Sequence, residues 1–210
     1  MNFDKNLLRL YAVTDSAWLG EKTMAQAVRE ALEGGATLVQ LREKNMDRDT
    51  LLKEAIEVKK VTDAFCVPLI IDDDIEVCQK SGAAGVHVGQ TDMEASKARA
   101  LLGPDKILGV TAKTPQQARA AQAAGADYLG CGAVFGSSTK LDTYEITIDQ
   151  LNSVCEAVDI PVVAIGGINE NNILELKGAK MAGAAVVSAI FAKKDIKAAA
   201  AHMRALAEQL

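Results

Sequence analysis

Short apolar runs recur along the chain at residues 8–14, 37–42, 68–72, 85–88, 107–111, 128–134, 161–165 and 184–188. Within each run apolar residues follow one another with little alternation, the pattern of a strand buried on both faces. Between the runs the apolar positions shift to helical spacing. Residues 49–64, with Leu51, Leu52, Ala55, Ile56 and Val58, are one case. Helices are predicted at 23–33, 49–64, 75–80, 93–102, 148–158, 171–177 and 196–209, and another opens at Thr114-Pro115, a cap followed by proline at the first helical position. The phrases EGGATLVQL, AAGADYLGC and MAGAAVVSA, with KSGAAGVHV close to them, each read as a helix stopped by glycine, a short loop and a buried strand. Strand–helix units repeated in this way, connected right-handedly, close into a (β/α)8 TIM barrel, an α/β fold expected to form a single domain over residues 1–210. An open doubly wound sheet is the competing arrangement. It would carry a glycine fingerprint after the first strand, and YAVTDSAWLG has none.

Composition narrows the function classes. The chain is 49% hydrophobic but only 4% aromatic, so Ala, Val, Leu and Ile fill the core. A net charge of −5 argues against a general nucleic-acid binder. Any anionic ligand then needs local cations, helix N-termini or a metal ion. No signal peptide is expected from the start MNFDKNLLRLYAV, and no apolar stretch approaches the roughly 18 residues of a membrane span. Cys66, Cys78, Cys131 and Cys155 lack CxxC spacing and read as reduced core thiols of a cytoplasmic protein.

Active sites on this architecture gather where strands feed into helices. Gln40, Leu41, Arg42, Glu43 and Lys44 follow the second strand, and Asp72, Asp73 and Asp74 the third. Gly89 to Asp92 follow the fourth, and Thr111, Ala112 and Lys113 the fifth. Alternation puts Gln40 and Arg42 on one face, where an Arg fork and a Lys point charge suit phosphate oxygens; a solvated Arg-Glu-Lys cluster has the same spelling. Asp72, Asp73, Asp74 and Asp92, at neighbouring strand ends, offer the few hard oxygens a Mg2+ ion takes, although Asp74 and Asp92 also read as helix N-caps. Ser137, Ser138, Thr139 and Lys140 form a hydroxyl-rich loop without Walker spacing. Gly166-Gly167 and Val187-Ser188 lie where barrels often hold a phosphate, after strands seven and eight. His87 reads as a hydrogen-bonded residue of the barrel interior, His202 as surface, and Met93 and Met181 as packing. Trp18 either lines a pocket or covers the mouth.

Seven phrases in order span most of the chain: Gln40 to Lys44, Ile71 to Asp73, Gly85 to Asp92, Gly109 to Thr111, Ser137 to Lys140, Ile165 to Ile168 and Val186 to Ile190. Together they resemble the thiamine phosphate synthase family. The resemblance implies a transferase that joins 4-amino-2-methyl-5-hydroxymethylpyrimidine diphosphate to a thiazole phosphate, carboxylated or plain, and releases pyrophosphate. By the same resemblance Gln40, Leu41, Arg42, Glu43, Lys44, Asp72, Thr111 and Lys140 bind the pyrimidine diphosphate. Asp73 and Asp92 hold one Mg2+, and Ser137, Ser138, Thr139, Gly167, Val187 and Ser188 seat the thiazole phosphate. Arg42, Lys44 and Lys140 act electrostatically and no nucleophile is implied. The expected partners are two small phosphorylated substrates, with no nucleic acid and no membrane, and the sequence leaves room for a homo-oligomer. Three positions depart from the family pattern: Asp72 replaces Asn, Thr111 replaces Ser and Lys113 replaces a common His. A thiazole tautomerase-like isomerase on the same barrel needs the thiazole seat but not the diphosphate cations or the metal pair. A non-catalytic barrel that binds a phosphate ligand or a protein partner would bind thiazole phosphate without turnover.

Overall fold

The computed structural model describes residues 3–44, 46–136 and 145–210. Eight parallel strands close into a barrel in sequence order: β1 (Leu10–Val13), β2 (Leu38–Leu41), β3 (Leu69–Asp72), β4 (Gly85–Val88), β5 (Ile107–Thr111), β6 (Tyr128–Gly132), β7 (Val162–Ile165) and β8 (Gly183–Val186), with β8 pairing back to β1. Outside them run α1 (Met24–Glu33), α2 (Arg48–Ala64), α3 (Ile75–Ser81), α4 (Ala95–Leu102), α5 (Pro115–Ala123), α6 (Ile148–Glu156), α7 (Ser188–Phe191) and α8 (Ile196–Ala207). The expected TIM barrel is the observed fold.

Two apolar layers follow from the two-residue alternation of each strand. Outward residues such as Leu10, Ala12, Val39, Leu41, Ile71, Val86, Val110 and Ala164 meet the helices. Inward residues form a smaller cluster of Leu8, Tyr11, Val13, Leu38, Ile70, Tyr128, Val163 and Ala185. This is a filled interior, as barrels of this strand number require.

Local chemistry sets the helix starts. Thr23 and Thr147 form capping boxes with Gln26 and Gln150, and Thr114 caps α5 with Pro115 in its first turn. Asp74 caps α3 by accepting from the Val77 N–H, as one sequence reading has it. At the end of the barrel away from the strand C-termini, Arg99 of α4 donates to the carbonyls of Gly103, Lys106 and Gly125 and to the Asp127 carboxylate. Asp127 also accepts from the Leu108 N–H, so one guanidinium ties α4 to the starts of β5 and β6.

Several sequence expectations shift. The second helix starts at Arg48, because Asp47 rather than Asp49 supplies the cap to Thr50. Residues 171–177 form only a 3-10 turn, Ile173–Leu176, pinned by Asn169 and Asn172. The fourth helix begins at Ala95 with no side-chain cap, and Asp92 instead accepts from the Gly89 N–H. The eighth strand stops at Val186, and Ser188 opens α7. Cys66 is exposed in a left-handed turn, so the core-thiol reading holds for Cys78 and Cys131 but not for it. Gly35, Gly82 and Gly125 do end helices with positive φ. Gly183, in the phrase MAGAAVVSA, is a strand residue instead: a Cβ there would lie 2.1 Å from the Leu8 carbonyl oxygen.

Gly183→Ala is therefore expected to lower unfolding free energy in urea by about 3 kcal/mol, since the obstructing atom is backbone and has little room to relax. Gly20→Ala, where nothing lies within 4 Å, is expected to cost only about 1 kcal/mol for its positive φ.

Candidate active site

The strand C-termini bring the expected polar residues to one mouth. Gln40 and Asp72 share the inward face of their strands with Ile70 and the tyrosine-lined interior. Asp72 accepts a 3.0 Å ion pair from Lys44 and lies 3.6 Å from Arg42. Lys44 also donates to Asp73. Asp73 holds a left-handed φ of 61° while its N–H bonds the His87 carbonyl, which turns its side chain back across the rim toward Asp92. Arg42, Lys44, Asp72, Asp73 and Asp92 are therefore one cluster. A rim cavity of about 500 Å³ beside it is lined by Asp15, Ser16, Arg42, Glu43, Lys44, Met46 and Asp47.

The electrostatics are unbalanced toward negative charge. Burial, then the neighbouring Asp72 charge, pushes the Asp73 carboxyl up to about 6, with Lys44 working the other way. Burial opposes the Lys44 charge, but its bonds to Asp73 and Asp72 outweigh this and raise its pKa. The two motif neighbours are placed differently. Leu41 packs outward under the helices. Glu43 is raised by burial and leans toward Ser16, and Glu54 of α2 is raised by burial and by the Glu43 charge.

Across the mouth, Thr111 ends β5 with its hydroxyl 2.9 Å from His87 Nε2, and its carbonyl accepts from Gln90. The turn after β7 carries positive φ at both Gly166 and Gly167 (101° and 67°). A side chain at Gly167 would strike the Gly136 and Phe135 carbonyl oxygens at 2.5 and 2.7 Å. The carboxamides of Asn169 and Asn172 both donate to the Gly167 carbonyl and lock this turn. Val187 and Ser188 lie at the start of α7, the short extra helix that barrels use beside a phosphate. Ser137, Ser138, Thr139 and Lys140 lie outside the described residues.

Sequence reasoning missed Asp15 and Ser16, which follow β1 and reach the rim through a 3-10 turn capped by Asp15. Their signal was an Asx cap in front of Trp18, which is exposed there. It also missed the turn-locking carboxamides of Asn169, just before an expected helix, and of Asn172, within it.

Comparisons with known proteins agree with this geometry. The family model described as thiamine monophosphate synthase matches residues 10–190. The thiamine-phosphate synthase of Ruminiclostridium cellulolyticum is 49% identical over 191 residues, 91% of each chain. Thiamine-phosphate synthase 2 of Streptococcus pneumoniae is 46% identical over 195 residues, 93% of each chain. The solved thiamine phosphate pyrophosphorylase of Pyrococcus furiosus superposes with a TM-score of 0.90 at 35% identity, covering 97% of each chain. A 3-hexulose-6-phosphate synthase reaches a TM-score of 0.65 at 18% identity, a likeness of fold alone. The match spans every strand of the barrel and both sides of its mouth, and the chain belongs to the thiamine monophosphate synthase family.

Proposed function

We propose that the protein is a cytoplasmic thiamine-phosphate synthase, a transferase that couples an aminopyrimidine diphosphate to a thiazole phosphate with release of pyrophosphate. The observation that carries the reading is the convergence of Arg42 and Lys44 with Asp72 and Asp73 at the barrel mouth. A thiazole isomerase has no use for such a diphosphate-sized charge cluster. Among the described residues no helix is long and apolar enough to cross a membrane, which suits an enzyme of two small soluble substrates.

The residues present fit a divalent cation. Asp73 and Asp92 carboxyls interact directly, and Asp73 is pushed up to about 6. Two oxygen donors facing each other at the cost of mutual repulsion form a hard-cation site with places left for water and phosphate oxygens. Mg2+ held by Asp73 and Asp92 would add positive charge where the diphosphate leaves.

The chain's own contribution is electrostatic and positional. The C–O bond between the pyrimidine methylene and the diphosphate breaks with its electron pair going to oxygen. The resulting carbocation is stabilised by the ring amino group, and the thiazole nitrogen lone pair forms the new C–N bond. Arg42 and Lys44 meet the departing negative charge with positive charge already in place, and the family resemblance assigns the same role to Lys140, outside the described residues. Gln40 and Thr111 hold the pyrimidine. The Gly167 turn, the start of α7 and the Ser137–Thr139 hydroxyls seat the thiazole phosphate. Holding two reactants together contributes on the order of 7 kcal/mol in favourable cases, so no nucleophile is required.

Asp72 stands where the family usually has Asn. Its charge is matched by Lys44 and Arg42, which removes the repulsion a bare carboxylate would impose on a diphosphate.

Pyrophosphate release measured by a coupled assay is expected only with both substrates and Mg2+ present. Asp73→Ala is expected to lower kcat/KM by about a hundredfold or more; metal-independent turnover by that variant at the wild-type rate would remove the assigned role. Asp72→Asn is expected to stay within about threefold of wild type in kcat/KM, because a neutral amide still accepts from Lys44. The raised Asp73 carboxyl also has a sign. Its folded value of about 6 lies above the ordinary 3.8, so its contribution to stability is present at low pH and is lost as pH rises through about 6. Without divalent metal, Asp73→Asn is expected to melt higher than wild type at about pH 8, with the gap closing at about pH 4.

A further inference from the structure

An apolar barrel interior is a costly place for polar groups unless each finds a partner. This one contains a continuous polar line. Gln40 Nε2 donates to the Tyr11 hydroxyl at 2.7 Å. The Tyr11 and Tyr128 hydroxyls are 2.8 Å apart. Tyr128 lies 3.1 Å from His87 Nδ1, and His87 Nε2 lies 2.9 Å from the Thr111 hydroxyl. Both tyrosines are buried, at 2% and 0% exposure, so bulk water does not compete for these bonds. Two glycines make room for the line. A Cβ at Gly109 would fall 2.3 Å from the Tyr128 ring and 2.5 Å from His87 Nδ1, and one at Gly130 would fall 3.1 Å from His87 Cε1. The two ends, Gln40 near the end of β2 and Thr111 at the end of β5, stand on different sides of the mouth.

Donor counting gives the line a direction. Burial raises both phenols well above their usual range, so each keeps its single proton. Tyr11 oxygen accepts from the Gln40 amide, so its own proton goes to Tyr128. The Tyr128 proton then goes to His87 Nδ1. That nitrogen accepts, so the imidazole carries its proton on Nε2 and donates to Thr111. Thr111 is thereby left with its O–H pointing away from the ring, and Gln40 with its amide oxygen turned away from Tyr11.

We infer that Tyr11, Tyr128 and His87 are positioning residues, a one-way hydrogen-bond relay through the barrel interior that fixes Gln40 as an acceptor and Thr111 as a donor toward the pyrimidine ring. The inference rests on the reading that these two residues hold the pyrimidine. An aminopyrimidine presents an amino donor and ring-nitrogen acceptors, and the relay holds the complementary pair without rotational search. Flipping the Gln40 amide would reverse every bond in the line, so its polarity is a single collective choice.

The ring nitrogens of His87 report the direction in the unliganded wild-type protein, with His202→Gln used to assign signals. Long-range 15N NMR is expected to show the neutral tautomer with Nε2 protonated and Nδ1 bare; a protonated Nδ1 overturns the inference. Tyr128→Phe keeps the ring and removes the link. Its KM for the pyrimidine diphosphate is expected to rise about tenfold, the scale of one buried hydrogen bond, while KM for the thiazole phosphate stays unchanged. Equal rises in both KM values, or none, sink the relay. Gln40→Ala and Thr111→Ala separate the two ideas: if neither changes KM for the pyrimidine diphosphate, the subsite assignment itself fails. If they do and Tyr128→Phe does not, only the relay fails.

Discussion

Like charges held together at the strand ends are the constraint around which the rest is arranged. Asp72 and Asp73 adjoin in sequence, and the Asp92 side chain is brought to Asp73 from the loop after β4. Left alone, these carboxylates would push the loops apart. Lys44 touches the first two, Arg42 approaches Asp72, and Asp73, with a left-handed backbone, meets both Lys44 and Asp92. A non-glycine residue in that conformation is uncommon and costs free energy. The closed sheet supplies the rigidity to sustain it, because the Asp73 N–H is tied to the His87 carbonyl on the neighbouring strand.

Much of the barrel was legible because its signals are local. Buried parallel strands spell themselves as apolar runs, and Thr114-Pro115 or Thr23 with Gln26 announce helix starts through bonds made within four residues. Boundaries were less legible where two caps compete in sequence, as with Asp47 and Asp49, or where turn-locking side chains outbid helix propensity at Asn169 and Asn172. Gly183 shows another limit. Its spelling copies the helix stops, yet its reason is a carbonyl from Leu8, a residue far away in sequence.

The site was partly legible for the same reasons. Residues on one strand, such as Gln40 and Arg42, share a face by period alone. The pairing of Lys44 with both Asp72 and Asp73 depends on how β2 and β3 register, which no local pattern reveals. Tyr11 and Tyr128 were read only as part of apolar runs. Their hydroxyls acquire meaning from each other across 117 positions of chain. Gly109 and Gly130 look like ordinary strand weakness until the volume of His87 and Tyr128 is set beside them.

The Arg99 tie at the opposite end has a separate consequence. Its guanidinium draws together three carbonyls and the Asp127 carboxylate where β5 and β6 begin, at the opposite end of the barrel from the charged cluster of Arg42, Lys44, Asp72 and Asp73. Cohesion and chemistry thus occupy opposite poles of one cylinder. Loops at the reactive pole are free to vary in sequence during evolution without loosening the clasp at the other, and the same scaffold can accept new substrates while keeping its melting behaviour.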